Sequence, residues 1–446
     1  MTRIFFIPIF MFAIAANSQT ASKQNYNFSM EQAIEFATQN NYKAINAARD
    51  VENSKQKKRE TTAMGLPQIN GSVNYQNNIV IQKSVIPGEA FGGAPGTFNE
   101  VAFGVKQNMF ATLSVNQLIF DGSYIVALQA SKVYLEYFVN AKKKNEVEIR
   151  EMIITSYGSV LLAEESIKIL ESNKNILEKN YLEVNQIFKN GLGEQESVEQ
   201  ISITLSTIKS NLRNVTRLRE ISLKMLKINL GIDINDTLIL TDNLDNLSKS
   251  NIENVFTTSE FNVENNIDYK IISSLVIQKK LLLKLEKAKA LPSLGAIFNI
   301  GLNSFSQQFT FLNSNQRWLN FSNVGLGLTV PIFSSFARTS RTAQAKIAFE
   351  QSQTQQKEAE QMLKLGYEKS KSDFDFSIEE YATSKSNLNL AQRIEKKQQI
   401  KFKEGLSTSF EFSEAQRQLY AAQQTFLQSM VDIINKKAAL EKLTTK

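Results

Sequence analysis

Leu294-Gly295-Ala296-Ile297-Phe298-Asn299-Ile300-Gly301-Leu302-Asn303 and, after a polar interval, Val324-Gly325-Leu326-Gly327-Leu328-Thr329-Val330 are the runs that decide the fold. In the first, Leu294, Ala296, Phe298, Ile300 and Leu302 alternate with Gly295, Asn299, Gly301 and Asn303; in the second, Val324, Leu326, Leu328, Val330 and Ile332 alternate with Gly325, Gly327 and Thr329. Period two with one apolar face predicts strands, and the pair reads as a membrane β-hairpin. The interval Ser304 to Asn320 is rich in Ser, Asn and Gln and carries Trp318, the only tryptophan. An earlier copy runs from Leu66-Pro67 through Val73 and Tyr75. It crosses a loop holding Pro87, Gly88, Gly92, Gly93, Pro95 and Gly96, then returns along Leu113, Val115 and Phe120.

Helices hang from both hairpins. Ser29 with Gln32 predicts a capping box, opening a helix that passes Asn40-Asn41 and runs to Gly65, where Pro67 stops it. From Gly122 to about Lys189 there is no Pro and one interior Gly, Gly158. Ile153, Val160 and Ile167 form one heptad row, and Leu170, Leu177 and Val184 form another. Such a helix would be about 100 Å long, more than a compact domain needs. Gly191 and Gly193 predict a tight turn, after which Val198, Ile201, Leu205, Ile208, Leu212 and Val215 make a narrow coiled-coil seam.

The second half replays the first. Asn265-Asn266 matches Asn40-Asn41 and Leu291-Pro292 matches Leu66-Pro67, both at an offset of 225; Phe333 matches Phe120 at 213. Phe402-Lys403-Glu404-Gly405-Leu406 matches Phe188-Lys189-Asn190-Gly191-Leu192 at 214, and Phe412, Leu419 and Phe426 fall on Val198, Leu205 and Leu212. The expected organisation is a signal peptide at 1–18, a first repeat at 19–232, an acidic connector at 233–254 and a second repeat at 255–446. The repeats carry hairpins at about 67–120 and 292–333 and turns at 188–193 and 402–408. Asp233, Asp236, Asp242 and Asp245 dominate the connector, which lacks the apolar periodicity to bury a core of its own.

Composition removes whole classes of function. With no Cys and no His, the chain has no disulfide, no serine–histidine triad and no Cys or His zinc site. No convergent polar cluster compensates, so neither an enzyme nor a cofactor is predicted. The net charge of +7 is spread along 446 residues with no basic cluster interleaved with aromatics, which argues against nucleic acid. Arg3, the apolar run Ile4 to Ala16, and Ala16 and Ser18 ahead of Gln19 have the pattern of a secretory signal, too short to span a bilayer.

An exported chain without spanning helices is either soluble outside the inner membrane or spans an outer membrane as β-strands. Four strands cannot close a barrel, and open edges in hydrocarbon leave unpaired backbone groups, so several chains must share one. If three did, twelve strands would enclose a pore, and long, largely polar helices suit a tube wall with water on both sides. The physical reading is a conduit from periplasm to exterior. Tyr75, Tyr124, Phe333 and Trp318 are candidates for its interfacial aromatic belt, with loop packing the plainer role for Trp318.

These residues also carry a family likeness. From about Tyr26 to Leu443 the chain resembles the TolC-like outer membrane efflux proteins, on Asn27-Phe28-Ser29-Met30-Glu31-Gln32-Ala33-Ile34, both Leu-Pro openings, Gln117-Leu118-Ile119-Phe120-Asp121-Gly122, Val330-Pro331-Ile332-Phe333 and the two Phe-Lys-X-Gly-Leu turns. The resemblance implies an α+β membrane protein: a homotrimer with a 12-stranded outer-membrane β-barrel and a periplasmic α-barrel of coiled-coil helices. It also implies docking to an inner-membrane transporter through a periplasmic adaptor, with outer-membrane lipid around the barrel. Acidic rings six and nine residues after the second turn glycine close the periplasmic entrance in that family; here those positions hold Glu411 and Glu414, with Ser197 and Gln200 their first-repeat equivalents. The turns Gly191-Leu192 and Gly405-Leu406 would meet the adaptor. A ring of carboxylates selects cations and can bind a divalent ion.

Other classes fit less well. A periplasmic adaptor or membrane-fusion protein would carry one helical hairpin and more soluble β-structure, and a structural coiled coil of the envelope needs no glycine-flecked amphipathic strands. The transported substrate, small molecule or polypeptide, is not written in the sequence. Two Glu at i, i+3 are more often a solvated face than a gate, and Asp373 with Asp375 at i, i+2 diverge on a helix and receive no role.

Overall fold

The computed structural model describes residues 24–253 and 261–444, so the predicted signal peptide and the connector's boundary with the second repeat lie outside the described residues. The chain opens with β1, Asn25–Phe28, and α1, Met30–Asn40. Ser29 and Gln32 form the capping box: Gln32 N–H donates to Ser29 Oγ at 3.3 Å and Ser29 N–H donates to Gln32 Oε1 at 2.9 Å. The expected single helix to Gly65 is instead broken. Asn41 leaves the helical region with ψ at 139°, and α2 follows at Tyr42–Ala63. The break is a tertiary effect: Asn41 Nδ2 donates to Asn229 O at 2.5 Å, and Gly231 passes so close that an added Cβ would lie 2.1 Å from Asn40 O.

Strand β2, Gln68–Asn77, leads into the Gly/Pro loop. That loop folds on itself as a ribbon of β3, Lys83–Pro87, and β4, Phe98–Ala102, which the sequence did not signal. Then come β5, Gln107–Asp121, and α3, Gly122–Lys189, an uninterrupted 68-residue helix, followed by α4, Gln195–Leu230. The connector holds β6, Thr237–Leu240, and α5, Leu244–Glu253. Contrary to its expected poverty in buried groups, Leu238, Leu244 and Ser248 are buried. The reason is a partner distant in sequence. β6 pairs in parallel with β1, from Asn25↔Thr237 to Phe28↔Leu240, and four residues are too few to show a period.

The second half gives α6, Ile267–Ala288; β7, Ser293–Ser306; β8, Leu319–Thr329; α7, Ala337–Lys403; and α8, Ser409–Thr444. The described residues group into two compact units, each drawing on both halves of the chain: one from 24–42, 149–253 and 373–439, the other from 43–148, 261–372 and 440–444. In the first, the heptad rows meet as a core of Leu170, Leu177 and Val184 against Ile201, Leu205 and Ile208. Tyr157 anchors the same unit, its buried hydroxyl donating to Phe28 O at 3.0 Å and lying 3.2 Å from Asp242 Oδ2, which accepts Met30 N–H at 2.6 Å. The second unit contains a four-stranded antiparallel sheet in the order β2-β5-β7-β8.

Candidate functional site

Directly paired residues share a face, so the sheet is amphipathic across all four strands in its rows from Asn299 towards the start of β7, whereas at the start of β8 Ser322 and Asn320 fall on the apolar face and Phe321 and Leu319 on the polar one. Ile69 pairs with Val115, Val115 with Phe298, and Phe298 with Val324; one step along, Gln117 pairs with Ala296 and Ala296 with Leu326. The opposite face carries Asn70↔Ser114, Ser114↔Asn299 and Asn299↔Asn323, the last two side chains bonded at 3.0 Å. The apolar face is bare: Val324 is 78% and Leu326 74% exposed. The four strands hold no Lys, Arg or Glu, and their only Asp is Asp121 at the end of β5. Strands of about 9–11 residues suffice to cross hydrocarbon, and β2 and β8 have 10 and 11. Each has a ladder partner on one side only. Among the described residues no helix is long and apolar enough to cross a membrane. Of the predicted aromatic belt, Tyr75 and Trp318 both meet Phe311, at 5.9 and 6.5 Å between ring centroids, and Tyr124 Oη donates to Thr62 O at 3.1 Å.

The other candidate residues lie in the first unit, at two turns of one geometry. Leu192 N–H reaches Ile187 O at 3.0 Å and Gly191 N–H reaches Phe188 O at 2.9 Å; Leu406 N–H reaches Lys401 O at 2.8 Å and Gly405 N–H reaches Phe402 O at 3.1 Å. Both are Schellman turns. Their glycines have φ of +73° and +71°, and nothing lies within 4 Å of either ideal Cβ, so backbone conformation alone demands glycine. Leu192 and Leu406 are exposed.

The helix after the second turn begins with a device absent from the first. Thr408 N–H donates to Glu411 Oε2 at 2.9 Å, Glu411 N–H to Thr408 Oγ1 at 3.2 Å, and Ser407 Oγ to Glu411 Oε2 at 2.8 Å. These bonds, the Thr408 backbone donor foremost, hold the Glu411 carboxyl below the usual carboxylate range. Glu414, one turn on, accepts from Arg417 Nη2 at 2.5 Å and Gln418 Nε2 at 3.1 Å. Gln200 accepts from Ser409 Oγ at 3.2 Å, bringing that first-repeat position to the start of α8, while Ser197 occupies the first turn of α4 with its N–H on Glu194 O.

Sequence reading missed what joins α8 to the first-repeat helices. Beyond Ser409 and Gln200, Asn211 Nδ2 reaches Tyr420 Oη at 3.5 Å, Asn173 Nδ2 donates to Gln423 Oε1 at 2.9 Å, and Ser166 Oγ lies 3.5 Å from Gln424 Oε1. The ladder is wholly neutral; its only sequence signal was amides and hydroxyls beside the apolar seam. It borders a cavity of about 360 Å³ that also receives Glu414 and Glu395. Burial raises the Glu395 carboxyl above its ordinary range, partly offset by a bond from Gln416. Asp373, given no role, pairs with Lys436 at 3.0 Å. Among the described residues no three of Asp, Glu, His or Cys are grouped to hold a metal ion.

Comparison with known proteins agrees with this architecture. Residues 282–445 match the family model of the outer membrane efflux proteins. No curated protein sequence matches the chain. Among solved structures, CusC, described as undergoing conformational changes on folding and transmembrane channel formation, superposes with a TM-score of 0.76 at 15% identity over 96% of this chain and 95% of its own. The outer membrane protein VceC of Vibrio cholerae gives 0.72 at 12% over 93% and 95%. The Campylobacter jejuni CmeC outer membrane channel gives 0.72 at 16% over 93% and 85%. Residues 282–445 are thus similar in sequence to the outer membrane efflux proteins, and nearly the whole chain shares the fold of these solved outer-membrane channels.

Proposed function

We propose that this chain is the outer-membrane exit duct of a tripartite efflux or type I secretion system. The observation that carries the reading is the sheet, free of charged residues but for Asp121 at the end of β5, with one bare apolar face, one polar face and two open edges. In lipid every unpaired backbone group costs several kcal/mol, so the free edge of β8 must pair with β2 of another copy. Three copies close twelve strands with apolar residues outward and Asn, Ser and Thr lining the pore. The long helices continue that pore into the periplasm as an α-barrel, and the chain lies in the outer membrane with this extension. It conducts passively and performs no catalysis; energy comes from an inner-membrane transporter, reached through a periplasmic adaptor that docks at Gly191-Leu192 and Gly405-Leu406. Glu411 and Glu414, with Ser197 and Gln200 as their first-repeat equivalents, form the periplasmic constriction, three carboxylates per ring in the trimer.

The test is single-channel conductance in a planar bilayer, wild type against Glu411→Gln/Glu414→Gln, with and without a divalent cation. Glutamine is chosen because it retains an acceptor for the Thr408 cap. The expected wild-type current is small, cation-selective and blocked by the divalent ion, and the variant loses selectivity and block. Equal currents move the constriction elsewhere; no current from a folded, inserted trimer overturns the duct.

A further inference from the structure

The segment between β8 and α7 is built in a way that spanning a membrane does not require. Ser335 and Phe336 both take positive φ, +46° and +64°, with no glycine between them. Bulky residues rarely adopt this conformation, and such strain concentrates where a structure holds side chains for a purpose. Here it turns Phe336, 73% exposed, outward beside Phe333 at 6.0 Å between ring centroids, with Ile332 also bare. Arg338 braces the segment from inside, donating from Nη1 to Pro331 O at 2.8 Å, from Nη2 to Ile332 O at 3.1 Å and from Nε to Ser334 Oγ at 3.1 Å.

Cations outnumber carboxylates at this edge of the sheet, where Asp121 Oδ1 accepts the N–H groups of Ser123 and Tyr124 and Glu286 pairs with Lys289. Ser293 pairs with both Asp121 and Thr329, so the start of β7 and the ends of β5 and β8 lie together, and α6 ends five residues before Ser293. Lys287 and Arg341 are exposed there. Among the described residues no carboxylate pairs with Lys287, Arg338 or Arg341. A helix C-terminus explains Lys287, but Arg338 and Arg341 occupy the first turns of α7, where the helix dipole disfavours positive charge. The guanidinium of Arg338 is taken up by Pro331 O, Ile332 O and Ser334 Oγ, which leaves exposed Arg341 and Lys287 as the cations open to an anion from outside the chain.

We propose that this edge is an anchor for anionic phospholipid: Ile332, Phe333 and Phe336 enter the hydrocarbon boundary while Arg341 and Lys287 pair with headgroup phosphates. The inference rests on the sheet spanning a bilayer, and it adds a lipid class to that reading. Apolar and aromatic groups followed by unpaired cations match the depth order of an anionic leaflet, acyl chain and then phosphate.

The full chain carrying Trp318→Phe and Phe336→Trp supplies a single tryptophan in the segment. It is reconstituted into phosphatidylcholine vesicles containing a small fraction of either brominated phosphatidylglycerol or brominated phosphatidylcholine. Stronger quenching by the phosphatidylglycerol is expected, with the preference falling about fivefold for each charge removed by Lys287→Gln and Arg341→Gln and fading at high salt. Bound phosphatidylglycerol retained by the unsubstituted protein, read by native mass spectrometry against phosphatidylcholine, provides the same comparison without substitutions. Insertion with equal quenching by both lipids overturns the anionic preference. Insertion with no quenching overturns the anchor and points to a protein covering the segment. Failure to insert, read by flotation, overturns the spanning sheet as well.

Discussion

Thr408 and Glu411 hold each other at the start of α8: the threonine N–H lies 2.9 Å from the carboxylate, and the glutamate N–H lies 3.2 Å from the threonine hydroxyl. A proposed gate carboxylate is thus also a helix cap, and the two roles separate by pH. Its folded-state pKa is depressed, so its contribution is present above the unfolded value and lost as pH falls through the folded one. Amide protection over the first turn of α8, corrected for intrinsic exchange, is expected to drop on acidification in the wild type and to stay flat in Glu411→Gln. An unchanged pH dependence in that variant would assign the titration to another group. Thr408→Ala is expected to cost about 1 kcal/mol of local stability at neutral pH.

The glycines at the turns and at the α4 terminus predict unequal costs. Gly405→Ala places a side chain at φ +71° with open space around it, so the cost is the left-handed backbone alone, about 1–2 kcal/mol. Gly231→Ala carries the same backbone cost at φ +82° and drives its Cβ to 2.1 Å from Asn40 O. Forcing that neighbour aside adds about 1–3 kcal/mol. Urea unfolding of the two variants should rank them in that order. Equal shifts would mean that the Asn40 break yields freely.

The ladder from α8 to α3 and α4 is neutral, so its hold should respond to deletion of a partner and not to salt. Asn173→Ala leaves Gln423 Oε1 without its 2.9 Å donor, a loss of about 1 kcal/mol. In a channel whose opening separates these helices, the variant spends more time open, read as higher open probability in a bilayer. Charged latches would weaken as salt rises; the change in closed-state lifetime between the wild type and Asn173→Ala should be the same at low and high salt.

What the sequence revealed and concealed follows from the range of the forces involved. The strand alternation at Leu294–Leu302 and the rows Leu170, Leu177 and Ile201, Leu205 are local periodicities, and they fall on β7 and the helical core as read. The capping box at Ser29 and the turn glycines Gly191 and Gly405 are local chemistry and were equally legible. The break at Asn41 depends on Asn229 and Gly231, nearly 190 residues away, and β6 depends on β1 at a similar remove. No window of sequence contains both partners. Glu411 was visible as a carboxylate at a suggestive spacing; its hold by Thr408 and Ser407 depends on how the turn folds, although Thr408-x-x-Glu411 is itself a capping-box pattern.

The two faces of the sheet make the last prediction, because adjacent residues of β8 point to opposite environments. Val324 lies on the apolar face opposite Phe298, and Asn323 on the polar face opposite Asn299. If the apolar face meets lipid, Val324→Lys costs about 2–4 kcal/mol near the bilayer midplane and depletes the inserted oligomer. Asn323→Lys exchanges one polar group for another in water, forfeits the 3.0 Å bond to Asn299 and leaves insertion intact. It does add a positive charge per copy to the pore wall, which should move the reversal potential towards anion selectivity. Flotation with vesicles measures the first effect and a salt-gradient bilayer recording the second. Matched losses of insertion in both variants would show that the faces do not differ in environment, and the pairing Phe298↔Val324 would then belong to a protein interface instead of a lipid one.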